Sequence, residues 1–178
     1  MRNYQGLVIG IFVSLAVVGG AAWLWNAFGS ALWPVVIPPV ATSTPPAPPL
    51  ATVRVFFGNR LNDPEGLYCD RVYPVEREVL AVPALGQAAV RELLAGPTAF
   101  ETERGFFSSL NPGVALQSLA ITEGVARADF SVELGRGVGG SCWVSAIRAQ
   151  ITETLKQFPT VTTVQISING RTEDILQP

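Results

Sequence analysis

The stretch "SCWVSAIRAQITETLKQFPTVTTVQISING", residues 141–170, decides the fold. Val144, Ile147, Ile151, Leu155 and Phe158 recur at spacings of three and four, the stripe of a helix that buries one face. Pro159 cannot continue a helix, so the helix is expected over 141–158. Val164, Ile166 and Ile168 then alternate with other residues, the period of a strand, expected to be central or well covered. Asn169-Gly170 is turn chemistry and leads the chain out.

Working back along the chain, "PALGQAAVRELLAGPT" (83–98) repeats the helical pattern. Leu85, Ala89 and Leu93 share a face with Val90 and Leu94, Pro83 suits the first turn, and Gly96-Pro97 is a stop. "TVRVFFG" (52–58) sets Val53, Val55 and Phe57 on one side of a strand. "RVYPVEREV" (71–79) reads as a second extended piece, with Pro74 confining it to an edge or a bulge. "VALQSLAI" (114–121) and "VARADFSVEL" (125–134) form a hairpin across Thr122-Glu123-Gly124. Val114 and Leu116 have one parity, Leu119 and Ile121 the other, so a bulge is expected near Ser118. Residues 99–113 read as a long connection with turn chemistry at Asn111-Pro112-Gly113. Two amphipathic helices need a sheet face to cover. The expected fold is therefore α+β: a two-layer sandwich with a mixed, mainly antiparallel sheet and two helices on one face.

The first third of the chain has a different character. After Arg2 the next charged side chain is Arg54. Residues 6–28, "GLVIGIFVSLAVVGGAAWLWNAF", are uncharged and match the roughly 20 apolar residues that span a bilayer. Trp23, Trp25 and Phe28 sit at the far end, as interfacial aromatics do, and Arg2 precedes the run. A cleaved signal peptide is the competing reading, with small residues at 19–22, but the run continues past them through Leu24 and Trp25. Residues 34–50 hold seven of the chain's 14 prolines and read as an extended stalk. The expected organisation is an N-terminal transmembrane helix (1–30), a proline-rich linker (31–50) and an extracytoplasmic domain (51–178), with the N-terminus in the cytoplasm.

Composition narrows the chemistry. Net charge is −2, without the basic footprint of nucleic-acid binding, so no nucleic-acid partner is expected. The chain has no histidine, the commonest general base and metal ligand near neutral pH. Two cysteines cannot alone make a four-ligand zinc site. "GRGVGGSCWVSAIRAQ" (135–150) contains Cys-x5-Arg, the spacing of cysteine phosphatases. The five residues between Cys142 and Arg148 read as helix, however, and would place thiol and guanidinium about 600° apart around it, on different faces. The glycine loop lacks a Gly-Lys-Ser/Thr ending, Ser141 is a natural N-cap, and an anion at this helix start stays open. Cys142 is expected to form a disulfide with Cys69, as an even cysteine count allows outside the cytoplasm. Glu76, Glu78, Glu101, Glu103, Glu173 and Asp174 could supply paired carboxylates for sugar cleavage, but Glu76 and Glu78 alternate like the solvated face of a strand. No catalytic residue, cofactor or metal site is expected.

Five stretches together resemble a known family: "VEREV", "LLAGPT", "ITEGVARADFSVEL", "AIRAQITETLKQFPTV" and "ISINGRTED" look like the GerMN domain of GerM-type sporulation and germination proteins. The resemblance covers nearly all of 51–178. It implies a small, exported, membrane-tethered α/β module similar in fold to the ring-building motifs of secretion-system proteins. It implies a non-enzymatic role in assembling envelope complexes. Many relatives are lipoproteins, whereas no cysteine lies close behind this apolar run. The expected function is an interaction or scaffold module at the cell membrane, binding envelope proteins, cell-wall polymer or itself. Phe56, Tyr73, Phe106 and Phe107 are candidate contact residues, and the competing and favoured reading of the last two is that they tuck the long loop 99–113 onto the core. The alternative is a small envelope hydrolase or a polymer-binding accessory.

Overall fold

A computed structural model describes residues 48–177. The chain runs β1 (Leu50–Asn59), β2 (Tyr73–Leu80), α1 (Leu85–Ala95), α2 (Ala99–Glu103), β3 (Phe106–Phe107), β4 (Leu116–Thr122), β5 (Val125–Phe130), a 3-10 turn (Val132–Gly135), α3 (Ser141–Lys156) and β6 (Thr163–Ile168). The α+β character follows from the two periodicities. Val55 and Phe57 of β1 and Ala126, Ala128 and Phe130 of β5 point inward, and Ile147, Ile151 and Leu155 of α3 close on them with virtually no exposure, while Val53 packs with Val79 and Ala89. α1 packs against β1, β2, β4 and α3.

The expected single sheet is two three-stranded sheets, in the orders β2-β1-β3 and β4-β5-β6. The reason lies on α3. Gln150, Thr154 and Gln157 recur at helical spacing beside the apolar stripe; Thr154 and Gln157 satisfy backbone groups along the edge of β1 away from β2, and Gln150 satisfies those of the β3 segment. The Phe56 amide donates to Thr154 Oγ1 at 3.1 Å. The Arg54 amide donates to Gln157 Oε1 at 2.7 Å, and Gln157 Nε2 donates back to the Arg54 carbonyl. Gln150 meets the β3 segment through the Phe107 carbonyl and the Ser109 amide. The helix thus takes the place of a strand along this edge, and only Gly58 and Asn59 pair with β3. A buried backbone group must find a partner, and here side chains supply it.

β2 is an edge strand, which accommodates Pro74, and the pairing of β4 with β5 shifts register between Leu116 and Ser118, where the parity of the apolar residues changes. Glu123 and Gly124, both with positive φ, close the β4–β5 hairpin. β6 runs parallel to β5 but lies at the sheet edge rather than its centre; α3 covers Ile166 and Ile168. The first helix begins at Leu85, not Pro83, and the last ends at Lys156, leaving Phe158 beyond it still packed on the core. Ser141 is inside α3 rather than its cap: Gly140 holds the N-cap position and no side chain caps the helix.

The connection 99–113 contains α2 and β3. Thr98 accepts from the Glu101 amide while Glu101 reaches back to the Thr98 amide, a reciprocal capping box. The domain's first strand starts at Leu50, one residue inside the expected linker. Among the described residues no helix is long and apolar enough to cross a membrane. The expected anchor and nearly all of the linker lie outside the described residues.

Candidate functional site

A cleft of about 540 Å³ opens where the end of β1, the loop 60–72, β3 and the first turns of α3 meet. Its floor is set by a close approach. The Phe107 ring lies against Gly58, where a Cβ would clash with the outer edge of the ring unless the ring shifted. Arg60 covers the ring, its guanidinium carbon 5.0 Å from the centroid. Asn59, buried at the end of β1, ties the loop down: its Oδ1 accepts from the amides of Leu61 and Asn62, and its Nδ2 donates to the Arg104 carbonyl. Asp63 closes the next turn by accepting from the amides of Leu67 and Tyr68.

The opposite wall is α3. Trp143 donates its indole N–H to the Ser109 carbonyl at 2.8 Å, which orients the ring at the mouth. Gln150, fully buried, accepts from the Ser109 amide and donates to the Phe107 carbonyl. The disulfide between Cys69 and Cys142 joins the two walls, with Cα atoms 5.0 Å apart, and both cysteines line the cleft. Cys142 therefore has no thiolate to act as a nucleophile, and Arg148 is turned elsewhere, donating to the Ile175 carbonyl. Alkylation of the unreduced, denatured protein should modify neither cysteine, and prior reduction should expose both; labelling without reductant would contradict the bond.

The carboxylates considered for sugar cleavage do not converge. Glu76 and Glu78 lie on the exposed face of β2; Glu103, Glu173 and Asp174 are also exposed. Glu101 is buried against Arg77, which forks onto its two oxygens and also meets Glu92 at 3.5 Å. The Arg77 hydrogen bond holds the Glu101 carboxyl below the usual carboxylate range despite its burial. Among the described residues no group of three or more histidine, cysteine, aspartate or glutamate side chains could hold a metal ion. The four candidate contact residues are only partly exposed. Phe56, Tyr73, Phe106 and Phe107 are all half-buried; Phe106 packs on the main core and Phe107 floors the cleft. The large apolar groups that do face solvent include Leu61, Leu67, Tyr68 and Phe100. The cleft residues Arg60, Tyr68, Arg71, Trp143 and Gln150 were missed, although "RLNDPEGLYCDR" (60–71) gathers aromatic and charged residues around Cys69.

The fold defines a small α+β module with a cleft at one end of β1. The family model for sporulation and spore germination, Germane, matches residues 54–174, and the chain belongs to this family. Two solved structures agree in fold. The tandem GerMN domains of the sporulation protein GerM from Bacillus subtilis share 18% identity over 70% of this chain, with a TM-score of 0.52. The first GerMN domain of the same protein shares 22% identity over 68% of this chain and 85% of its own length, at a TM-score of 0.50. This chain spans 41% of the tandem structure. No curated protein matches the sequence. The domain is of the GerMN type.

Proposed function

We propose that this protein is a membrane-anchored, extracytoplasmic GerMN module that acts without catalysis as an interaction or scaffold element of cell-envelope complexes. The observation that carries the reading is the Cys69–Cys142 bond, which suits an oxidising compartment beyond the membrane. The uncharged run 6–28 supports the same side by supplying a span of the right length. The family's description, sporulation and spore germination, is compatible with a role in such complexes.

The test is made on the full chain in intact cells. Alkaline phosphatase fused to the C-terminus should be active, and inactive once residues 6–28 are deleted. A photo-crosslinking residue at Phe100, 65% exposed on α2, should yield adducts with envelope proteins or with a second copy. An inactive fusion overturns the location; an active fusion with only uncrosslinked monomer overturns the scaffold role.

A further inference from the structure

The cleft beside the disulfide holds polar groups that the fold leaves unspent. Arg60 and Arg71 both line it, and among the described residues neither forms an ion pair. Each guanidinium lies on a ring instead: Arg60 on Phe107, and Arg71 with its guanidinium carbon 3.7 Å from the Tyr68 centroid. Stacking of this kind holds the guanidinium plane while leaving five N–H donors in a rigid fork that matches a carboxylate. Glu65 lines the same cleft and also has no ion-pair partner among the described residues, whereas Asp63 spends both oxygens on backbone amides. Trp143 is 39% exposed with its indole N–H already bonded, so its orientation is fixed and part of its ring is uncovered. The volume, about 540 Å³, lies within the usual range for small-molecule sites.

We infer that this cleft binds an acidic saccharide. The carboxylate sits on the Arg60 and Arg71 guanidinia, a sugar ring lies against Trp143, and a hydroxyl donates to Glu65. A bare oxyanion would meet the arginines but also the unpaired charge of Glu65, and it would leave Trp143 unused. A neutral sugar would leave both guanidinia unpaired. A sugar carrying a carboxylate answers all three. The disulfide belongs to the site because it holds the arginine-bearing loop against the helix that carries Trp143. The inference goes beyond the scaffold reading by assigning a ligand chemistry to a particular cleft, and its test requires neither membrane export nor a protein partner.

The experiment is titration calorimetry of the full-length protein in detergent with N-acetylmuramic acid, N-acetylglucosamine and inorganic phosphate. N-acetylmuramic acid, which adds a carboxylate to the neutral sugar, should bind roughly tenfold or more tightly than either comparison, the step expected of a charge-assisted hydrogen bond. Arg60→Met with Arg71→Met should remove that advantage, and Trp143→Leu should weaken binding by a similar factor. Arg136→Met, at an exposed position outside the cleft, should bind as the parent does. The melting temperature of each variant reports separately on folding. Equal binding of N-acetylglucosamine overturns the role of the arginines, and equal binding of phosphate overturns the saccharide. No binding of the acidic sugar by the folded parent protein overturns the site altogether, while leaving the export and crosslinking results of the scaffold reading untouched.

Discussion

Arg77→Leu is expected to lower the stability of the domain by about 3–5 kcal/mol at neutral pH, the usual cost of removing one partner from a buried ion pair. The Arg77 and Glu101 side chains are only 13% and 10% exposed. The pair fastens α2 to β2: Arg77 stands in the middle of the strand, and Glu101 is the third residue of the helix and half of its capping box. Without Arg77 the carboxylate is left buried with the Thr98 amide as its remaining hydrogen-bond donor. Arg77→Leu combined with Glu101→Leu should cost much less than Arg77→Leu alone, because no charge is then stranded. Acid adds a second signature. The hydrogen bond from Arg77 lowers the folded-state pKa of Glu101, so the unfolded chain binds the proton first as pH falls. The stabilisation is fully present above the unfolded carboxylate value, about 4.3, and is lost as pH falls through the lower folded value. The raised pKa of Arg77 adds no change in this window, since its contribution is lost only in strong alkali. Urea unfolding at pH 7 and between pH 5 and 3 reads both effects. A loss below about 1 kcal/mol at pH 7, or an unchanged pH slope in the variant, would show that the pair does not stabilise the fold.

The elements were legible where burial imposes one period. Val53, Val55 and Phe57 could only be a strand face, and Val144, Ile147, Ile151 and Leu155 could only be a helix stripe. The bulge near Ser118 was legible because a change of parity has few physical remedies. The sheet assignment was not, because it depends on what lies along the second edge of β1. That edge is met by Thr154 and Gln157, polar residues that look like ordinary surface positions until the helix is placed. Thr98-x-x-Glu101 was a readable capping box, and overlooking it left α2 inside a supposed loop.

The candidate site was harder to read than the fold. The loop 60–72 has neither period, since its order comes from the Asn59 and Asp63 side chains bonding nearby amides. The cleft combines that loop with residues more than seventy positions later, and no local spacing reveals such a meeting. Only the cysteines marked both walls. They were read for the compartment they imply, while the structure also makes them the hinge pin of the cleft.

Replacing both cysteines, Cys69→Ser with Cys142→Ser, should therefore carry two separable consequences. The bond closes a loop of 73 sequence steps. In the chain-entropy account, opening such a loop frees the unfolded ensemble and lowers stability by about 4 kcal/mol. For a domain of this size the melting temperature should fall by roughly 15 °C. Because the effect acts on the unfolded state, the denaturant slope should rise as the freed chain exposes more surface, and the midpoint should fall. The native core should persist, since neither cysteine belongs to it. The second consequence is local. Asn59 and Asp63 still order the loop within itself, but nothing covalent then holds Arg71 and Tyr68 opposite Trp143. Binding in the cleft should weaken well below the melting temperature, in protein whose circular dichroism is unchanged. A double variant as stable as the parent would remove the entropic role of the bond. A variant that melts lower yet binds the acidic sugar as tightly would show that the hydrogen bonds of the loop position the cleft without the disulfide.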